Sequence, residues 1–197
     1  MTNVRSLDAL LSHTKRAELA ASRPQPFAIV LGCSDSRVPA EMVFDQGLGD
    51  LFVIRVAGNI VAPSQVGSVE FGAERFGTRL VVVMGHTACG AILATLEHME
   101  NPGGASSRNL RSIVDRVRPS IDPLMSTDLA QDRSALLQAA MRANVRVAAD
   151  HLRHGSELLE HLIQDDGLLV VGCEYNLESG EVEFFDGVDA GSGPGAR

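Results

Sequence analysis

Four short, predominantly apolar runs constrain this chain more than any other feature. They occupy residues 27–32, 51–56, 80–85 and 168–172. Runs of this length without polar alternation read as strands buried on both faces, the state of a strand inside a parallel sheet. Helical periodicity separates them, over 39–45, 64–76, 88–99, 128–153 and 156–164. An opening helix is marked by Leu7, Leu10, Leu11, Ala17 and Leu19 and ends before Pro24. The segment 101–106, with Pro102, Gly103 and Gly104, reads as a loop. Residues 181–185 alternate in part and follow a turn at Gly180, which predicts an antiparallel edge strand closed by a hairpin. Strands alternating with helices predict an α/β fold: a mostly parallel central sheet flanked by helices, with a C-terminal antiparallel edge strand. The 197 residues suit one domain over 1–186, followed by a glycine-rich tail, 187–197, expected to be disordered.

Composition removes several function classes. A net charge of −8 argues against a nucleic-acid or anionic-membrane surface. No apolar run is long enough for a membrane-spanning helix. The first residues carry no basic stretch followed by an apolar one, so a cytoplasmic location is expected. The three cysteines, Cys33, Cys89 and Cys173, are odd in number and too few for a disulfide scaffold. In a reducing compartment, cysteines so spaced more often bind metal or do chemistry than cross-link.

In open α/β sheets, sites lie beyond the carboxyl ends of the strands. The first strand runs into Cys33-Ser34-Asp35-Ser36-Arg37, the second into Ala57-Gly58-Asn59, and the third into Gly85-His86-Thr87-Ala88-Cys89-Gly90. If these strands are parallel neighbours, Cys33, His86 and Cys89 converge. Two thiolates and an imidazole suit zinc, and three protein ligands leave a fourth position open, as catalytic zinc sites do. Asp35 stands close enough to take that position or to be held beside it by Arg37. With Asp35 on Arg37, a water can bind the metal, lose a proton near neutral pH and attack an electrophile. Each cysteine or histidine alone also fits a plain core residue. Their convergence beside an Asp-x-Arg pair is what points to a metal centre. Cys173 reads as a buried structural thiol, and His151, His154 and His161 as solvated helix faces.

The Cys33–Arg37 and Gly85–Gly90 motifs resemble the two signature motifs of the β-class carbonic anhydrases. The stretch from Val43 to Asn59 and the run Gly67-Ser68-Val69-Glu70-Phe71 are also similar to that family. The resemblance implies a zinc lyase that interconverts carbon dioxide and bicarbonate by zinc-hydroxide attack, with one Zn2+ per chain. Cys33, His86 and Cys89 would hold the metal. Asp35 would be its exchangeable fourth ligand and proton acceptor, oriented by Arg37. The family pocket is apolar and partly built by a second subunit, so a dimer or tetramer is implied. Phe52, Ala57 and Phe71 fall at its lining positions. Phe71 stands where many members have tyrosine, and Gln25 is one place removed from a glutamine common in the family. A tryptophan that marks a second, inhibitory bicarbonate site in some members is replaced by Val30, so that site is expected to be absent or altered. The closest alternative keeps the scaffold and metal but takes carbonyl sulfide or carbon disulfide. Another is a zinc-stabilised binding protein without activity, against which the Asp35–Arg37 pair speaks.

Overall fold

The computed structural model describes residues 13–101 and 107–188. Helix α1 spans His13–Ala21, strand β1 Ala28–Gly32, the short α2 Ala40–Val43 and β2 Leu51–Arg55. A 3-10 turn, Ala57–Asn59, leads to α3, Pro63–Phe76, and β3, Leu80–His86. Then come α4, Gly90–Glu100, and α5, Arg108–Ile121. Two 3-10 turns, Asp122–Ser126 and Asp128–Gln131, precede α6, Arg133–His154, and α7, Glu157–Asp165. Strands β4, Leu169–Tyr175, and β5, Val182–Asp186, close the chain. Leu7, Leu10 and Leu11 of the opening helix, most of the 101–106 loop and residues 189–197 of the expected tail lie outside the described residues.

The five strands form one sheet in the order β2-β1-β3-β4-β5. All pairings are parallel except β4 with β5, which is the expected antiparallel hairpin. Every residue of β1 is buried, as its apolar run predicts. The reading of β2 as buried on both faces needs correction. Only Ile54 in it is buried, and Arg55 is exposed. Its sequence resembles that of β1, but β2 is an edge strand, with a neighbour on one side alone.

The long helix expected from residue 128 begins at Arg133. Asp132 takes the N-cap position and accepts from the N–H groups of Ser134 at 2.9 Å and Ala135 at 3.1 Å. Helix α5 runs through a stretch where no separate helical segment was assigned from periodicity. Ser107 caps it, and Val114, Val117 and Ile121 are its buried side. The core is aliphatic, built on Ile29, Leu31, Val81, Val83, Val170 and Val171 with the inner faces of the helices. Helix α3 packs on β1 and β2, and α6 on β3 and β4.

Two glycines let α6 approach the sheet closely. A Cβ at Gly85 in β3 would stand 2.6 Å from Val145 Cγ2, and one at Gly172 in β4 would stand 2.7 Å from Val145 Cγ1. Val145, fully buried, therefore fills a notch between two strands. Its β3 glycine stands one residue before His86.

Candidate metal centre

The chain reverses direction across the sheet between β1 and β3. Strand β2 lies on one side of β1 and β3 on the other. Such a switch point opens a crevice beyond the carboxyl ends of the two central strands. Cys33 follows β1 and His86 ends β3, so both enter this crevice. After His86 the backbone makes a tight reversal at Ala88, whose φ of 53° is left-handed, and this returns Cys89 to the same point as the N-cap of α4. The Sγ atoms of Cys33 and Cys89 and a ring nitrogen of His86 all lie within 4.8 Å of one another. All three residues are buried.

The surrounding hydrogen bonds prepare this trio for a cation. His86 Nδ1 faces the Thr87 carbonyl at 2.9 Å, so the proton belongs on Nδ1 and the lone pair on Nε2. Nε2 is buried and has no hydrogen-bond partner. Thr87 is itself pinned: its N–H donates to the Tyr175 carbonyl at 3.1 Å, and its hydroxyl accepts from the Leu177 N–H at 3.0 Å. The Cys33 thiol is held well below its ordinary range by the adjacent Cys89 thiol, against the opposing effect of burial. His86 and the N–H groups of Gly58 and Asp35 add to the lowering. Cys89 is pushed up because it shares its space with the Cys33 charge and is buried. Two adjacent thiols thus carry one negative charge readily and a second only beside a positive ion. An orphaned imidazole nitrogen aimed at such a pair fits a soft or borderline divalent metal, zinc above all.

Asp35 lies beside the trio, its Oδ2 4.0 Å from His86 Nε2. Arg37 grips the carboxylate at both oxygens, Nε to Oδ1 at 2.9 Å and Nη2 to Oδ2 at 2.7 Å, and the Arg37 N–H adds a third bond at 3.0 Å. This grip holds the carboxyl well below the usual carboxylate range. Arg37 also donates to the Ala88 carbonyl at 3.2 Å, which ties the loop after β1 to the loop after β3. Arg55 buttresses the first loop by donating to the carbonyls of Cys33, at 3.0 Å, and Asp35.

The sequence-derived lining residues divide into two groups. Ala57 adjoins Gly58, whose N–H donates to Cys33 Sγ at 3.3 Å. Ala57 lines a groove of about 720 Å3 with apolar Ala91 and Leu110 and polar Glu97, His98 and Asn101, while Cys89 itself lines a separate cavity with Thr87 and Ala88. Gln25, Phe52 and Phe71 do not reach the trio within one chain. Phe52 pairs in register with Ile29, four residues before Cys33, and is roughly 13 Å from it along the strand. Gln25 precedes β1 altogether and is exposed. Phe52, Phe71 and Phe76 instead form their own cluster, with ring centroids 5.6–6.2 Å apart. Cys173 is buried inside β4 beside Met84, away from the trio. The exposed His154 and His161 pair with Asp150 and Asp165 on their own helices. Sequence reasoning missed the Gly58 N–H and the buried Asn144 behind it. The one signal for the latter was an amide among the apolar residues of a helix face.

A family model described as carbonic anhydrase matches residues 28–182. A carbonic anhydrase of Mycolicibacterium smegmatis is 38% identical over 170 residues, 86% of this chain and 79% of that protein. Carbonic anhydrase 2 of Mycobacterium tuberculosis is 36% identical over 176 residues, 87% of this chain and 79% of that protein. Among solved structures, the β-carbonic anhydrase CafA of Aspergillus fumigatus superposes with a TM-score of 0.77 at 25% identity, over 88% of this chain and 81% of that one. One from a pair of tetrameric β-carbonic anhydrases of Sordaria macrospora superposes with a TM-score of 0.76 at 22% identity, over 86% of this chain and 85% of that one. The match spans both loops that build the Cys33–His86–Cys89 trio, and on it the chain belongs to the β-class carbonic anhydrases, enzymes of carbon dioxide hydration.

Proposed function

We propose that this chain hydrates carbon dioxide reversibly to bicarbonate and a proton, with one zinc ion per chain held by Cys33, His86 and Cys89. The observation that carries the reading is the buried, unpartnered His86 Nε2 facing two buried thiols, with a carboxylate gripped beside it. When bound, zinc supplies a Lewis acid that makes water a nucleophile near neutral pH.

The rest is done by the chain's own groups. Asp35 is acceptor-only because Arg37 keeps it ionised. A water bound beside the trio would donate a hydrogen to the Asp35 carboxylate, whose Oδ2 lies 4.0 Å from His86 Nε2. So low a carboxyl affinity for protons means that Asp35 orients the water and passes the proton on to solvent instead of keeping it. Released from Arg37, the same carboxylate is near enough to serve as the exchangeable fourth ligand. Ala57, beside Gly58, offers an apolar contact that suits a small uncharged substrate.

Self-association completes this pocket. The cluster of Phe52, Phe71 and Phe76 leaves Phe71 52% exposed, and Met42 and Phe27 are exposed as well. Phe52 pairs with Ile29 near the amino end of β1, so it and the rings packed on it can line a trio only in a second copy. A dimer or tetramer, in the cytoplasm, is the working form; among the described residues no helix is long and apolar enough to cross a membrane.

Stopped-flow hydration of carbon dioxide, with zinc quantified on the same sample, tests the reading. One zinc per chain with rapid hydration is expected. A zinc-free protein, or a zinc-loaded one without hydration, overturns it. Arg37→Ala frees the carboxylate and should lower hydration by at least about tenfold; an unchanged rate removes the pair from the mechanism. Sedimentation at micromolar concentration should show no substantial monomer, and a fully active monomer refutes the shared pocket.

A further inference from the structure

Asn144, behind Gly58, is 2% exposed in the middle of α6. Its neighbours on the buried face are Ala140, Met141, Val145 and Ala148. Asparagine is a poor residue for a helix interior, and an amide buried among such side chains is costly unless it is bonded. Asn144 Nδ2 donates to the Gly58 carbonyl at 2.8 Å, across 86 positions of sequence.

Gly58 is a backbone position under constraint. Its φ of 69° and ψ of 21° are left-handed, and a Cβ there would come within 2.9 Å of Ala91 Cβ. Only glycine fits, and glycine by itself gives a flexible turn. The turn nevertheless aims the Gly58 N–H at Cys33 Sγ, 3.3 Å away. The carbonyl and the N–H of one residue thus carry a connection from α6 to a sulfur of the trio.

We propose that Asn144 is a positioning residue for the metal centre: by holding the Gly58 carbonyl, it fixes the left-handed turn whose N–H is donated to Cys33 Sγ. The inference rests on the reading of Cys33 as a metal ligand. An N–H donated to a ligating thiolate withdraws charge from the sulfur and fixes its direction. Without Asn144 the turn gains freedom, the N–H leaves the sulfur part of the time, and Cys33 presents itself to the metal less well.

The test uses the full-length protein loaded with cobalt(II) or with zinc. Asn144→Ala removes the amide. Asn144→Leu keeps about its size but carries no donor for the Gly58 carbonyl. Leu152→Ala, on the same helix and also fully buried, is the control for a general loosening of α6. In both Asn144 variants the sulfur-to-cobalt charge-transfer band should move to longer wavelength, because a sulfur without its hydrogen bond gives up charge more easily. Release of zinc to excess chelator should speed up by about tenfold. Leu152→Ala should lower the melting temperature and move neither readout. Unchanged band and release rate in an Asn144 variant, or equal changes in Leu152→Ala, overturn the proposal. If both Asn144 variants fail to fold, the unaltered protein loaded with a spin-active cadmium isotope decides by nuclear magnetic resonance. A cadmium coupling at the Gly58 amide proton supports the proposal and its absence refutes it. An unaltered protein that takes up none of these metals refutes the metal reading itself, a result distinct from the others.

Discussion

Replacing Gly85 by alanine tests how closely α6 must approach the sheet to hold His86. The added methyl would stand 2.6 Å from Val145 Cγ2 and 2.6 Å from Met141 Sδ. Both fall about 0.8 Å short of ordinary contact. Methionine is flexible and can turn aside at little cost. Valine cannot, because its branched side chain is stiff and its other methyl is already lodged 2.7 Å from the Cβ position of Gly172. The helix must therefore retreat or the strand must bend. Overpacking of this kind costs about 2 kcal/mol, or a fall of about 4–8 °C in Tm for a domain of this size. The partner substitution sharpens the test. Val145→Ala in the native background leaves a cavity and should also cost about 2 kcal/mol. In the Gly85→Ala background the new methyl enters the vacated space, so the double variant should be more stable than the sum of the two losses by about 1.5 kcal/mol. Urea denaturation followed by circular dichroism, at one fixed protein concentration, gives all four corners of the cycle. Additive losses, or a Gly85→Ala protein as stable as the native one, would refute the notch.

Two further expectations follow from the thiols. Burial pushes the Cys173 thiol up to about 12, while a cysteine in the unfolded chain titrates near 8.5–9. This group's contribution to stability is therefore complete below the unfolded value and is lost as pH rises towards the folded one. Between about pH 8 and pH 10 the native protein should lose about 1.4 kcal/mol more than Cys173→Ala, and a pH-independent difference in urea denaturation would contradict this. Cys89→Ser replaces a thiolate by a poor metal donor and should cost most of the bound zinc; full occupancy by elemental analysis would overturn the ligand set.

Much of the molecule was legible before any coordinates, for a physical reason. The residues that declare β1, β3 and β4 are neighbours in sequence. A run such as Ile29-Val30-Leu31 marks itself as core, because its β-branched residues and short length suit a buried strand. The convergence of Cys33, His86 and Cys89 was legible on the same grounds. Cys33 follows an apolar run and His86 ends another, while Cys89 is three residues further on, so strand direction alone brings them to one edge. Asp35 and Arg37 are two residues apart and find each other locally. The hairpin of β4 and β5 announced itself through the turn at Gly180.

What the sequence left open depends on how distant elements come to rest on each other. The runs that form β1 and β2 look alike, yet one is central and the other an edge strand, because burial of β2 depends on which strands flank it. The start of α6 was set by a cap at Asp132 that competes locally with continued helical periodicity. Phe52 was assigned to the pocket by resemblance, but only the register with Ile29 shows that it sits near the amino end of β1, away from Cys33 of its own chain. Val145 reaches two glycines on two strands, and Asn144 meets Gly58 across 86 residues. No period or motif encodes such meetings. They exist only because α6 is pressed onto β3 and β4 at one depth and one rotation, which the packing of the whole core decides.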